Sequence, residues 1–179
     1  LIKAETREGG GDEYHGDEGP LHVARGNGEG PLFDAFIRAG QQAGYPYTSD
    51  LNGFQQEGFG PMDRTTGAGI RHSTSVGYLK PAMRRRNLTV LTRAHVTRLI
   101  MTGKSVDGVE FLHQGRRKTA QAFRETLLAG GPINSPQLLM LSGVGPEEQL
   151  REAGVDVVHD LPGVGENLQD HLEVTVQVE

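Results

Sequence analysis

Apolar positions in "PLFDAFIRAGQQAGYP" fall at Leu32, Phe33, Phe36, Ile37 and Ala43, three and four apart, which puts them on one side of a helix. Pro31 sits in the first turn and Gly44 just past the end, so both boundaries of this amphipathic helix are marked. From Leu88 the period changes to two. "LTVLT", "HVTRLIM", "VDGVEFLH" and "RKTAQAF" read as strands separated by short turns, and "ETLLAG" as a further strand. A helix "PEEQLREAGV", a buried strand "DVVHDL" and the loop "PGVGENLQDHLE" follow. In "LEVTVQVE", Glu173, Thr175 and Gln177 alternate with valines, which predicts a last strand. Two stretches carry little period. Residues 8–30, rich in glycine and acid, predict an extended surface excursion with one short strand, "LHVAR". The stretch from Tyr47 to Met83 mixes turn residues with isolated aromatics and predicts a loop-rich cover that becomes helical from Ser75 to Met83.

Between Leu127 and Pro146 the pattern "LLAGGPINSPQLLMLSGVGP" joins a strand to a helix through Gly130 and Gly131. Ser135 followed by Pro136 marks a helix start, with Gly143 closing it after about two turns. Amide groups at a helix start lack intrahelical acceptors and carry partial positive charge, and glycine before them clears space for a ligand. Two readings of the junction stay open: a tight turn packed on protein, or part of a cradle for a nucleotide-containing cofactor. The full GxGxxG fingerprint is not there, and no acidic residue stands about 20 positions on.

Composition narrows the chemistry. The 179 residues have the length of one ordinary domain, and 35% of them are hydrophobic. A net charge of -5 provides no global field for nucleic acid or an anionic membrane, so no nucleic-acid partner is expected. The basic run Arg84, Arg85, Arg86 reads as a solvated turn. With no cysteine, thiol nucleophiles, zinc-thiolate sites and disulfides are excluded. His159, Asp160, Asp170, His171 and Glu173 crowd fifteen positions, but no H-x-x-x-H or H-x-H spacing puts two imidazoles on one face, so no metal is expected. His171 reads as a hydrogen-bonded structural histidine. Both ends interrupt a pattern, "LIKAETRE" without a start or cap and "LEVTVQVE" in mid-alternation, and the expectation is an internal fragment.

The junction "GGPINSPQLLMLSGVGP" closely resembles the second signature of the glucose-methanol-choline (GMC) oxidoreductases, and "LPGVGENLQDHLE" looks like the segment that follows it in that family. "AGYPYTSDLNGFQQEGFGPMD" and "NLTVLTRAHVTRLI" are similar to the family's choline dehydrogenase branch. The resemblance implies a mixed α/β (α+β) chain: part of a Rossmann-like FAD-binding domain with part of an antiparallel-sheet substrate domain. On this basis residues 1–87 would be linker, helix and substrate-side cover, 88–170 part of the FAD domain, and 171–179 the start of the substrate sheet. It implies FAD as cofactor, with Val96, Gly130, Gly131, Asn134 and Pro136 along it. It implies oxidation of a small alcohol, choline, to betaine aldehyde by hydride transfer to flavin. Glu173 would face the trimethylammonium group; the pattern by itself makes it the polar face of a strand. Catalytic histidines of the family lie in a segment that these residues do not match, so the chain alone is expected not to turn over. A GMC dehydrogenase for another primary alcohol, or a truncated copy without chemistry, are the alternatives. The electron acceptor is left open, and the resemblance implies a protein of the cytoplasm or one peripheral at the inner membrane. Pro132 in place of alanine, and His72 in place of tryptophan, depart from the family pattern.

Overall fold

The computed structural model describes residues 5–26 and 28–175, which divide into two compact units at Val90 and Leu91. In the first unit strand β1 (Glu5–Arg7) pairs in parallel with β2 (Leu21–Arg25), and β2 pairs antiparallel with β3 (Asp63–Arg64). Helix α1 (Pro31–Gln42) starts and stops where its signals fall, with Pro31 in the first turn and Gly44 at φ 93° after the end. A two-residue hairpin, β4 (Thr66–Gly67) with β5 (Ile70–Arg71), precedes a π-helical turn at Ser75–Leu79 that runs into the short α2 (Lys80–Ala82).

The second unit is built on a three-stranded antiparallel meander, β6 (Ala94–Thr102), β7 (Ser105–His113) and β8 (Arg116–Gln121). Its tight turns use left-handed backbone at Gly103, Gln114 and Gly115. Helix α3 (Gly131–Leu141), strand β9 (Val144–Gly145), helix α4 (Glu147–Glu152) and strand β10 (His159–Asp160) follow, with β10 parallel to β9. Among the described residues, the buried large apolar side chains all lie in this unit: Leu99, Phe111, Val144, Leu150 and Val164, of which only Leu150 is fully enclosed. Among the described residues no helix is long and apolar enough to cross a membrane.

Several expectations from the pattern do not hold. Residues 88–92 and 125–129 form no strand, and "DVVHDL" pairs only at His159 and Asp160, with Val158 44% exposed rather than buried. An apolar alternation becomes a strand only when a neighbouring ladder accepts its hydrogen bonds; the described residues provide none to 88–92 and 125–129, and only the two-residue β9 to "DVVHDL". Residues 171–175 likewise carry no regular structure, and the rest of the last expected strand, 176–179, lies outside the described residues. His171 is exposed, not packed. Helix α3 begins at Gly131, not at Pro136, and runs eleven residues. Pro132 takes the early-helix place, and Pro136 sits inside the helix, where its missing N–H forgoes only a bond to the first turn.

Candidate cofactor-binding site

The strand β6 carries an extra residue between Val96 and Arg98, so Thr97 is left out of the ladder. The Thr97 hydroxyl lies 3.0 Å from Glu110 Oε1, and Arg98 and Arg117 approach the same carboxylate at 3.5 and 3.1 Å. The Thr97 hydrogen bond, opposed by desolvation and helped by the two guanidinium groups, holds the Glu110 carboxyl below its ordinary range. This pins the bulge and fixes where Val96, paired with Phe111, presents its backbone.

The far wall is the start of α3. The Gly130 amide donates to Ser135 Oγ at 3.0 Å, so Ser135 caps the helix from inside its second turn rather than from in front of it. Gly131 has φ 86°, a conformation that side-chain-bearing residues avoid, and a Cβ added there would meet nothing within 4 Å. Its glycine is therefore required by the backbone turn. At Gly130 a Cβ would lie 3.2 Å from Asn134 Cβ, against its own helix. Helix geometry leaves the amides of Gly131 and Ile133 without intrahelical acceptors. The other end of α3 is tied to the meander by Ser142, whose hydroxyl accepts from the buried Leu99 amide at 2.8 Å and donates to Leu138 O at 2.6 Å.

Between these walls lies a cavity of about 630 Å³, lined by Val96, Val109, Leu127, Gly130, Asn134 and Leu138 among others. The structure thus brings together three of the residues singled out in the sequence, Val96, Gly130 and Asn134, with Gly131 forming the turn beside them. Pro136 is not among them: it lines a separate cavity of about 600 Å³ with Met140, Leu150 and Val155. Glu173 is exposed and does not line the first cavity. Apolar walls for a flat ring, with the Asn134 carboxamide at one end, fit a nucleotide-containing cofactor.

A second polar constellation, in the first unit, had no signal in the local pattern. The Arg7 guanidinium, 9% exposed at the side chain, lies 3.0 Å from Asp50 and 3.1 Å from Asp63. Asp12 Oδ1 accepts from the amides of Tyr14 and His15 at 2.7 Å and lies 2.9 Å from His15 Nδ1. Desolvation, which raises the Asp12 pKa, is outweighed by these hydrogen bonds and the imidazole, and the group falls to about 2. Asp12, His15 and Asp50 have the donor set of a metal site. Arg7 Nη1, 2.9 Å from His15 Nδ1 as well, already fills the cation's role among them.

A family model described as GMC oxidoreductase matches residues 5–173. Oxygen-dependent choline dehydrogenase from Paraburkholderia phytofirmans is 57% identical over 179 residues, covering 99% of this chain and 32% of the relative. The protein of the same name from Stenotrophomonas maltophilia is 56% identical over 181 residues, again 99% of this chain and 32% of the relative. The chain therefore spans about a third of the length of these curated relatives. Among solved structures, pyridoxine 4-oxidase from Mesorbium loti superposes with a TM-score of 0.80 at 34% identity, covering 90% of this chain and 32% of that one. An FAD-dependent oxidoreductase from Chaetomium thermophilum gives a TM-score of 0.79 at 26% identity, with 90% and 31% covered.

Proposed function

Because the chain belongs to the GMC oxidoreductase family, we propose that the protein carrying it oxidises choline to betaine aldehyde, with FAD as the acceptor of the hydride. The observation that carries this reading is the cavity between the β6 bulge and the start of α3, which gathers Val96, Gly130 and Asn134. The names and 56–57% identities of the bacterial relatives support the choice of alcohol.

Bound FAD supplies a two-electron sink for the alcohol carbon. The residues of this chain bind and orient. Val96 and Leu127 offer apolar contact to a ring, and the Asn134 carboxamide offers a donor to an anionic or carbonyl oxygen. Glu173 serves the substrate. A quaternary ammonium has no N–H to donate and is held by charge and aromatic faces, so a carboxylate is its counter-ion. A second reading, another primary alcohol, is favoured by the 34% identity to pyridoxine 4-oxidase; Glu173 would then be structural.

The complete protein, purified and mixed anaerobically with choline, should lose its oxidised-flavin absorbance. Glu173→Gln should raise KM for choline on the order of 10- to 100-fold while sparing the uncharged carbon isostere. No flavin in the purified protein would reject the enzyme reading, and equal weakening of both alcohols would reject the role of Glu173.

A further inference from the structure

Strand β6 sets Val96, Arg98 and Leu99 opposite Phe111, Glu110 and Val109 of β7. Successive residues of β7 alternate between the faces of the sheet, so Val96 and Leu99 share one face with Phe111 and Val109, while Arg98 shares the other with Glu110. Val96 and Leu99 are three apart, a spacing that a regular strand would send to opposite faces. The extra residue, Thr97, lets both keep to the face of Val109, which belongs to the cavity wall. Beyond the bulge the strand is fixed, because the Leu99 amide donates to Ser142 Oγ. Were the bulge to relax, the ladder would close backward from Leu99: Thr97 would come opposite Phe111, and Val96 opposite Leu112 on the other face. The cavity would then lose Val96.

One side chain stands against that slip. Glu110 is 7% exposed, and its Oε1 accepts from the Thr97 hydroxyl at 3.0 Å while its Oε2 lies 3.5 Å from Arg98. A single carboxylate therefore grips both the extra residue and the one after it. Arg117 of β8 reaches the same Oε1 at 3.1 Å. The Arg98 and Arg117 side chains are 59% and 69% exposed, so solvent screens the two ion pairs and the hydroxyl–carboxylate bond carries most of the hold. We propose that Glu110 is a positioning residue for the cofactor: through Thr97 and Arg98 it locks the register that keeps Val96 in the wall of the cavity. This role rests on the cavity being the FAD site, and it gives Glu110 no contact with FAD.

Thr97→Val, Thr97→Ser and Glu110→Ala variants of the complete protein are stripped of flavin, checked for folding by circular dichroism and titrated with FAD beside the parent. Thr97→Val keeps the shape of the side chain and loses the hydroxyl; it should raise the FAD dissociation constant about 10- to 100-fold, the weight of a hydrogen bond to a charged group. Glu110→Ala should raise it at least as much, and Thr97→Ser, which keeps the hydroxyl, should bind as the parent does. Combining Thr97→Val with Glu110→Ala should cost less than the product of the two, because both break one lock. A merely structural role would lower the urea midpoint of the apoprotein and leave FAD affinity unchanged. Parent-like affinity in Thr97→Val or in Glu110→Ala overturns the role of Glu110, as does Thr97→Ser binding as weakly as Thr97→Val; the cofactor reading survives all three results. If Glu110→Ala does not fold, the two Thr97 variants decide. A folded parent that takes up no FAD rejects the cofactor reading and the lock with it.

Discussion

Replacing Ser142 by alanine removes one oxygen from the second unit and leaves its fold otherwise untouched. That oxygen is the acceptor for the Leu99 amide, in a residue only 4% exposed. Water cannot take over there, so Ser142→Ala leaves a buried N–H without an acceptor, which costs about 1–3 kcal/mol. Loss of the second bond, to Leu138 O, adds little, since that carbonyl belongs to the last turn of α3. The cost falls on the junction of α3 with β6, the two walls of the cavity. The assay is native-state hydrogen exchange on the complete protein, followed by mass spectrometry of peptides spanning residues 95–101. Protection there should fall about 5- to 150-fold, the range equivalent to that free energy at 1.4 kcal/mol per decade. Peptides from α1 should exchange as before. Unchanged protection at 95–101 would show that Ser142 does not hold the strand, and the account of how the cavity is built would be wrong.

Gly131→Ala should destabilise the protein by about 1–2 kcal/mol even without cofactor, because the loss is backbone strain at φ 86° and not a clash. Urea midpoints should rank Gly131 above Gly131→Asn above Gly131→Ala, since asparagine tolerates that region better; an alanine variant as stable as the parent refutes the strain. In acid the sign is set by Asp12, whose pKa in the fold is about 2 against an ordinary 3.8. Its contribution is fully present above about pH 4 and is lost as the pH falls toward 2. Asp12→Asn should flatten the pH dependence of unfolding between these limits, and an unaltered slope would remove Asp12 as its source.

Local signals carried the parts of the fold that are local. Helix α1 needs only its own stripe, Pro31 and Gly44, and the meander needs only period two and turns at Gly103 and Gly115. The segments around Leu88 and Leu127, and residues 171–175, have the same alternation yet no ladder among the described residues, because pairing is a property of two segments and the pattern describes one. The start of α3, expected at Ser135 and Pro136, was misplaced for a different reason. Pro132 and Pro136 are both acceptable early in a helix, and only the Gly130 amide reaching Ser135 Oγ decides between them. In the candidate site, Val96, Gly130 and Asn134, singled out through a resemblance, line one cavity. Pro136 lines the other cavity, since successive helical positions point about 100° apart. The Arg7 constellation joins residues 7, 12, 15, 50 and 63, and no window along the chain contains it.

That guanidinium also limits how the cover of the first unit can move. Asp50 and Asp63 stand at the two ends of one long loop, and both are moored to the same cation. Near the first mooring, the Thr48 hydroxyl reaches Gln55 O at 3.0 Å and draws the loop's beginning inward. Such a segment does not swing from a hinge at one side like a door. Its freedom is confined to the arch between the anchors, where Phe54 stands 88% exposed at the crest, so any opening that admits or releases a small molecule on this side has to be a flexing of that arch.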